Sequence, residues 1–477
     1  MIKQTVILFS MATAPTYAAN LDPHLAFTPR SAAQQAVVDA LTLSATRFFK
    51  PEPGEANPAG AATVARRKGT KAFSAPSATL PADREVDFKL GNALFRKEWQ
   101  PTTAKATGFT GLGPQYNARS CVQCHVNDGR GLPPTGPLDS TATILVKIGL
   151  PLANSLGNQL ATLPDPVYGN QLQNYAVGGE QPEFRLQVSY SELPVSLAGG
   201  GTVDLRQPAY RMAELSKGPL HRDVRVSPRI APQMIGLGLI EAIPAGDILA
   251  GADPDDADSD GISGRANKVF SLEHERLLLG RFGHKGISPT IRQQTAVALA
   301  NDMGVSTTLV ANGGEQPEIT ETIFDFIAGY SAQIGVPARA EIKDRTVLRG
   351  KELFYQAGCV ACHRPKFVTH ILPMRPELSN QLIWPYSDFL LHDMGAELAD
   401  GFPEGLASGN EWRTPPLWGI GLTQDVSGHS FFLHDGRARS LLEAVLWHGG
   451  EAQRARDEVV EMSAGERSAL IRFLESL

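Results

Sequence analysis

Two short motifs, Cys121-Val122-Gln123-Cys124-His125 and Cys359-Val360-Ala361-Cys362-His363, hold all four cysteines of this 477-residue chain. Each is a C-x-x-C-H pattern, the spacing at which two thiols add to the vinyl groups of a haem while the adjacent histidine binds the iron. The competing chemistry is a pair of redox-active or zinc-binding C-x-x-C sites. That reading must place a histidine after both pairs by accident, in a chain with only 11 histidines. The sequence therefore predicts two covalently attached c-type haems, with His125 on the first iron and His363 on the second.

The residues for the other face of each iron follow from an internal repeat. Residues 231–239 match 414–422, and 282–286 match 432–436, in the same order after each motif. In the second copy, Ser440 to His448 has helical spacing with Leu441, Val445 and His448 on one face, which makes His448 the expected sixth ligand. A buried core histidine is the alternative, and His392, with Met394 behind it, is the rival ligand. Laying His284 on His434 sets Ala298 opposite His448, so the first iron meets a methyl group there. A helix over Thr290–Met303 would carry Gln294, Ala298 and Asp302 on one face. An amide, a gap and a carboxyl suit a pocket for a small oxidant, with Gln294 and Asp302 steering or relaying a proton. Otherwise this is an ordinary amphipathic helix with solvated polar residues. The expectation is two unlike centres, an open one for chemistry and a closed one for electrons.

The elements that must position these groups read as helices. Phe88 to Phe95 and Arg345 to Phe354 have helical apolar spacing and lead into the two motifs, and 34 prolines and 46 glycines imply many loops. The predicted fold class is mainly α: two cytochrome c-like haem domains related by duplication, the first with long loop insertions and little β structure. Residues 1–19 read as a secretory signal, with Lys3, an apolar run from Thr5 to Ala14 and small residues at Thr16-Tyr17-Ala18-Ala19. Residues 20–84 follow as an N-terminal extension, with Ala61 to Thr79 a flexible linker. The first haem domain is placed at 85–335 and the second at 336–477. A net charge of −6 argues against a nucleic-acid surface. No later apolar run approaches the ~18 residues of a membrane span. Haem attachment and the signal together imply a soluble periplasmic protein.

With both C-x-x-C-H motifs, Phe432-Leu433-His434-Asp435-Gly436-Arg437 and the helix ending in His448, the chain resembles the bacterial di-haem cytochrome c peroxidase and MauG superfamily. It is most similar to the di-haem oxidoreductase branch at Cys124 to Gly131, Tyr386 to Gly395 and Glu411 to Pro416. The resemblance implies a glutamine and a glutamate beside the first haem. Gln294 matches the glutamine, and Asp302 stands near the glutamate's place, two residues early and one methylene shorter. His284 stands where a tryptophan commonly lies between the haems, with Trp418 or Trp447 as substitutes. His448 replaces a methionine or tyrosine, which implies a lower potential at the second haem. No histidine lies between His125 and His221, so no loop ligand closes the first iron, and His221 reads as a surface residue. The implied activity is a peroxidase reducing hydrogen peroxide with electrons from a small cytochrome c or cupredoxin. The alternatives are oxidation of an organic or protein substrate, as MauG or the rubber oxygenases perform, and a plain electron carrier.

Asp256, Asp258, Asp260 and Gly261 match the start of a calcium loop, although Asn267 takes the place of the closing glutamate. A solvated acidic turn is the alternative. The resemblance implies a further calcium ion between the haems, served by the carbonyls of His429 and Phe431.

Overall fold

The computed structural model describes residues 21–101, 110–137, 139–152, 162–311 and 316–477. The expected signal segment lies outside them. The helices that frame the motifs are α1 (Glu85–Arg96), α2 (Ile291–Met303) and α3 (Glu321–Gln333) in the first half of the chain. In the second half they are α4 (Arg345–Gln356), α5 (Leu441–Leu446) and α6 (Ala464–Ser476).

The repeat is visible in how these helices pack. α1 crosses α3 and α4 crosses α6, and both crossings are closed by a glycine. A Cβ at Gly91 would collide with the Phe326 carbonyl, and one at Gly350 with the Ala469 carbonyl. Phe95 meets Tyr330 at 5.2 Å in the first pair, and Phe354 meets Phe473 at 5.3 Å in the second. The copies also grip each other reciprocally. Gly236 and Gly419, equivalent in the repeat, take φ values of 73° and 71°. The Trp418 ring lies over Gly236, and Ile235 lies over Gly419.

The expectation of a mainly α fold with little β structure is wrong. The chain is 29% helix and 19% strand, with many small sheets. Much of the strand content comes from the insertion between the first motif and α2. There β1 (Ile144–Pro151) pairs antiparallel with β4 (Arg225–Ile230). Between them β2 (Arg185–Ser196) and β3 (Thr202–Ala213) form a hairpin paired over 12 residues on each side. Pro194 and Pro208 are tolerated because both strands of a two-stranded ribbon are edges. Leu193, Val195, Val203 and Leu205 near the hairpin tip pack on the second copy's core.

Residues 61–79, expected as a flexible linker, enter the main core through Ala62, Ala72 and Phe73. The preceding segment is fixed by buried ion pairs, Asp22 with Arg281 at 2.7 Å and Glu55 with Lys351 at 2.8 Å. Sequence composition there hid the packing, because small residues fill tight spaces as readily as they form loops.

Candidate active site

Both C-x-x-C-H motifs wall one cavity of about 690 Å³ between the copies. α4 runs directly into the second motif, whereas residues 97–120 separate α1 from the first, and together the motifs bring four thiols and two imidazoles to that space. His125 Nδ1 donates to the Pro232 carbonyl at 2.8 Å, and His363 Nδ1 donates to the Tyr386 carbonyl at 2.9 Å. These bonds fix ring orientation and tautomer and leave Nε2 of each with its lone pair. Burial lowers both histidines, His363 to about 4, so both are neutral. None of the four cysteines is in a disulfide. Burial pushes Cys121 and Cys359 up to about 12. A redox-active pair needs a stabilised thiolate, which this pocket disfavours. The residues present thus fit two haems.

Over the first motif, α2 begins at Thr290, whose side chain accepts from the Gln293 amide, and ends at Gly304. Gln293 is spent on structure, donating to the Phe270 carbonyl and accepting from the Leu272 amide. Gln294, Ala298 and Asp302 line the cavity together. Gln294 Oε1 is buried without a partner among the described residues, a vacancy that a bound polar group would fill. Burial raises Asp302 to about 6, against a hydrogen bond of 2.8 Å from Gln171. His221 is exposed beside Asp223 and does not line the cavity. Residues 102–109, 138, 153–161 and 312–315 contain no histidine or methionine.

The second motif faces a different wall. α5 is capped by Ser440 and stops at Leu446, so His448 sits just beyond the helix end. Its Nδ1 donates to the Ala444 carbonyl at 2.7 Å, leaving Nε2, and burial keeps it neutral. The rival, His392, has no lone pair to offer. Its Nε2 donates to Asp388 at 2.8 Å and its Nδ1 to Glu451 at 2.6 Å. Burial alone would lower it, but these carboxylates and Cys362 hold it up at about 12, a permanent imidazolium. Met394 also lines the cavity.

Between the motifs the structure adds a residue the sequence reading passed over. Trp412 stacks on His434 at 3.9 Å and meets His284 edge-on at 6.3 Å. All three line the cavity. His284 donates from Nε2 to the Ile230 carbonyl, and burial lowers it far below its ordinary value. Trp418 and Trp447, the expected substitutes, do not line the cavity. One covers Gly236 and the other sits 4.9 Å from Arg437. The signal that could have pointed to Trp412 was its place in the Glu411 to Pro416 stretch, just ahead of the repeat unit.

The calcium expectations change. The carboxylates that converge are Asp253, Asp256 and Asp258, and Asp260 is outside that group. Asp260 instead accepts from the Ile262 amide. Asn267 is buried and donates to the Lys285 and Glu404 carbonyls, away from the acidic loop. The Phe431 carbonyl, expected to serve an inter-haem calcium, accepts from Arg130 at 3.2 Å.

A duplicated frame with a C-x-x-C-H site in each copy and unlike opposite walls defines a di-haem redox protein. The chain belongs to the family described as "Di-haem oxidoreductase, putative peroxidase", matched over residues 54–315 and 308–477. It is therefore a haem-dependent oxidoreductase. Among solved structures it is similar to a hydrazine synthase of Kuenenia stuttgartiensis at 12% identity and a TM-score of 0.32, covering 94% of this chain and 100% of that one. It is also similar to a MauG-like protein associated with microbial copper homeostasis at 17% identity and a TM-score of 0.27, covering 51% of this chain and 86% of that one. No curated protein matches the chain. Among the described residues no helix is long and apolar enough to cross a membrane.

Proposed function

We propose that the chain is an exported di-haem peroxidase that reduces hydrogen peroxide with electrons from a small cytochrome c or cupredoxin, received at the second site and passed to the first. The observation that carries this reading is the asymmetry at one repeat-equivalent position. Ala298 lines the cavity on the helix that brings Asp302 near Cys121 and Cys124, and His448 lines it near His363. Bound covalently through Cys121, Cys124, Cys359 and Cys362, the haems would supply the electrons and one coordination position open to an oxidant.

The chain's own residues then have separable tasks. His125 and His363 would hold the irons, each ring anchored through Nδ1, and His448 would hold the second iron from the other side. Gln294, with its unpaired Oε1, orients a hydrogen-bonding oxidant. Asp302, poised near neutrality by burial, takes a proton from the oxidant and returns it to the departing oxygen. Trp412, between His284 and His434, offers the aromatic bridge for electrons between the two sites.

Export and the periplasm are supported by residues 1–19 and by the four-thiol attachment sites. Calcium at the acidic loop now rests on Asp253, Asp256 and Asp258. A calcium-dependent rise in melting temperature, lost in Asp256→Asn, is its test. The function itself is tested by peroxide consumption with reduced cytochrome c. Turnover that collapses in Ala298→His, with both haems retained, is expected. Turnover unaffected by closing that position would overturn the reading.

A further inference from the structure

The cavity wall carries charges that the reaction above does not use. Arg130, Arg229, Arg281, Arg413 and Arg454 line it. Arg229 is paired with Asp400 and Glu404, and Arg281 with Asp22. Arg454 is exposed. Arg130 and Arg413 have no carboxylate within ion-pair distance among the described residues. Asp388, the acid that acts on Arg413 over a longer distance, is committed to His392. Arg413 also lies 5.8 Å from the Phe389 ring.

The two arginines are placed by the same device. Arg130 donates to the Leu433 carbonyl at 2.6 Å and the Phe431 carbonyl at 3.2 Å. Arg413 donates to the Gly283 carbonyl at 3.1 Å and the Thr414 carbonyl at 2.9 Å. Gly283 and Leu433 are equivalent in the repeat, and both have positive φ, 82° and 70°. Leucine rarely adopts that conformation, so the second turn holds a strained residue to present its carbonyl this way. Each arginine thus crosses from one copy to the turn of the other. The carbonyls use part of a five-donor fork and supply no negative charge. A half-buried guanidinium on a cavity wall without an anion is costly, and its free edge matches a carboxylate bidentately.

We propose that Arg130 and Arg413 are the receptors for the haem propionates, holding these carboxylates at the seam between the copies and raising the potential of the haem they contact. This inference rests on the di-haem reading. Both arginines act as positioning residues, and neither needs to touch the oxidant.

The experiment compares Arg130→Gln and Arg413→Gln with Arg130→Lys and Arg413→Lys in the full chain. It measures haem content, both reduction potentials and the propionate bending band in resonance Raman spectra. Arg206→Gln is the control, because Arg206 is buried between the Tyr190 and Phe431 rings and does not line the cavity. Each glutamine variant should keep two haems, shift the Raman band and lower one potential. The expected fall in the reduction equilibrium constant is about tenfold, about 59 mV for a one-electron couple. Lysine should restore the potential but not the band, and the control should move neither. Haem-loaded glutamine variants with both readouts at wild-type values would overturn the proposal. If those variants do not load, an unshifted Raman band in the lysine variants overturns it equally. A wild-type chain without haem would sink the di-haem reading itself.

Discussion

At the scale of single residues, the site separates groups that hold from groups that react. Asp302 is raised to about 6 by burial, so it loses its proton near neutrality. In the proposed role it must first be a base. The reaction with peroxide should therefore slow as pH falls through about 6, and Asp302→Asn should lose that dependence. The same substitution should cost about 100-fold or more in rate while both haems stay attached. A rate that rises below pH 6 would assign Asp302 the opposite role. His392 is a holding group. Its folded value of about 12 lies above the ordinary 6.5, so the stability it lends is complete below about 6.5 and is lost as pH rises toward 12. Replacing it by glutamine leaves Asp388 and Glu451 facing each other. The loss should be about 3 kcal/mol or more at pH 6 and smaller at pH 10, read by urea unfolding of the haem-loaded protein. Its visible spectrum should not change, whereas His448→Ala should turn the second haem high-spin.

At the scale of elements, tightness at a few crossings sets the frame. Gly350→Ala would push a Cβ into the Ala469 carbonyl at the α4–α6 crossing. The expected cost is about 1–3 kcal/mol, measured as a lower melting temperature, with the second haem's spectrum broadened before the first's. Gly465→Ala, with open space around it, should be neutral. The elements differ in how much of them could be read from sequence. α2 was legible because Thr290 and Gly304 cap a run whose spacing is helical, and α5 because Ser440 caps an apolar face. The β2–β3 hairpin was overlooked although Leu186, Val188 and Tyr190 alternate, and Gly199-Gly200-Gly201 marks the turn. An expectation of haem-wrapping helices overrode that signal. Trp412 was missed for a different reason. The Glu411 to Pro416 stretch marked its place, but its role comes from stacking on His434 and meeting His284 across the fold. The same holds for His392, whose two carboxylates come from 4 and 59 residues away.

At the scale of the whole molecule, duplication explains both the likeness and the difference of the two centres. The glycine crossings, the reciprocal Trp418 and Ile235 contacts and the paired arginine bridges preserve one frame twice. Within that frame one position holds Ala298 and its equivalent holds His448. Trp412→Phe should slow electron transfer between the sites by about tenfold or more without changing either spin state, as seen by rapid-mixing spectroscopy of half-reduced protein. The measurement that bears most directly on the whole account is the EPR spectrum of the fully oxidised chain, quantified against its haem content. The account predicts equal amounts of one high-spin ferric centre and one low-spin centre with two histidine ligands, and loss of the low-spin signal in His448→Ala. Two low-spin centres, each with two protein ligands in both redox states, would contradict it.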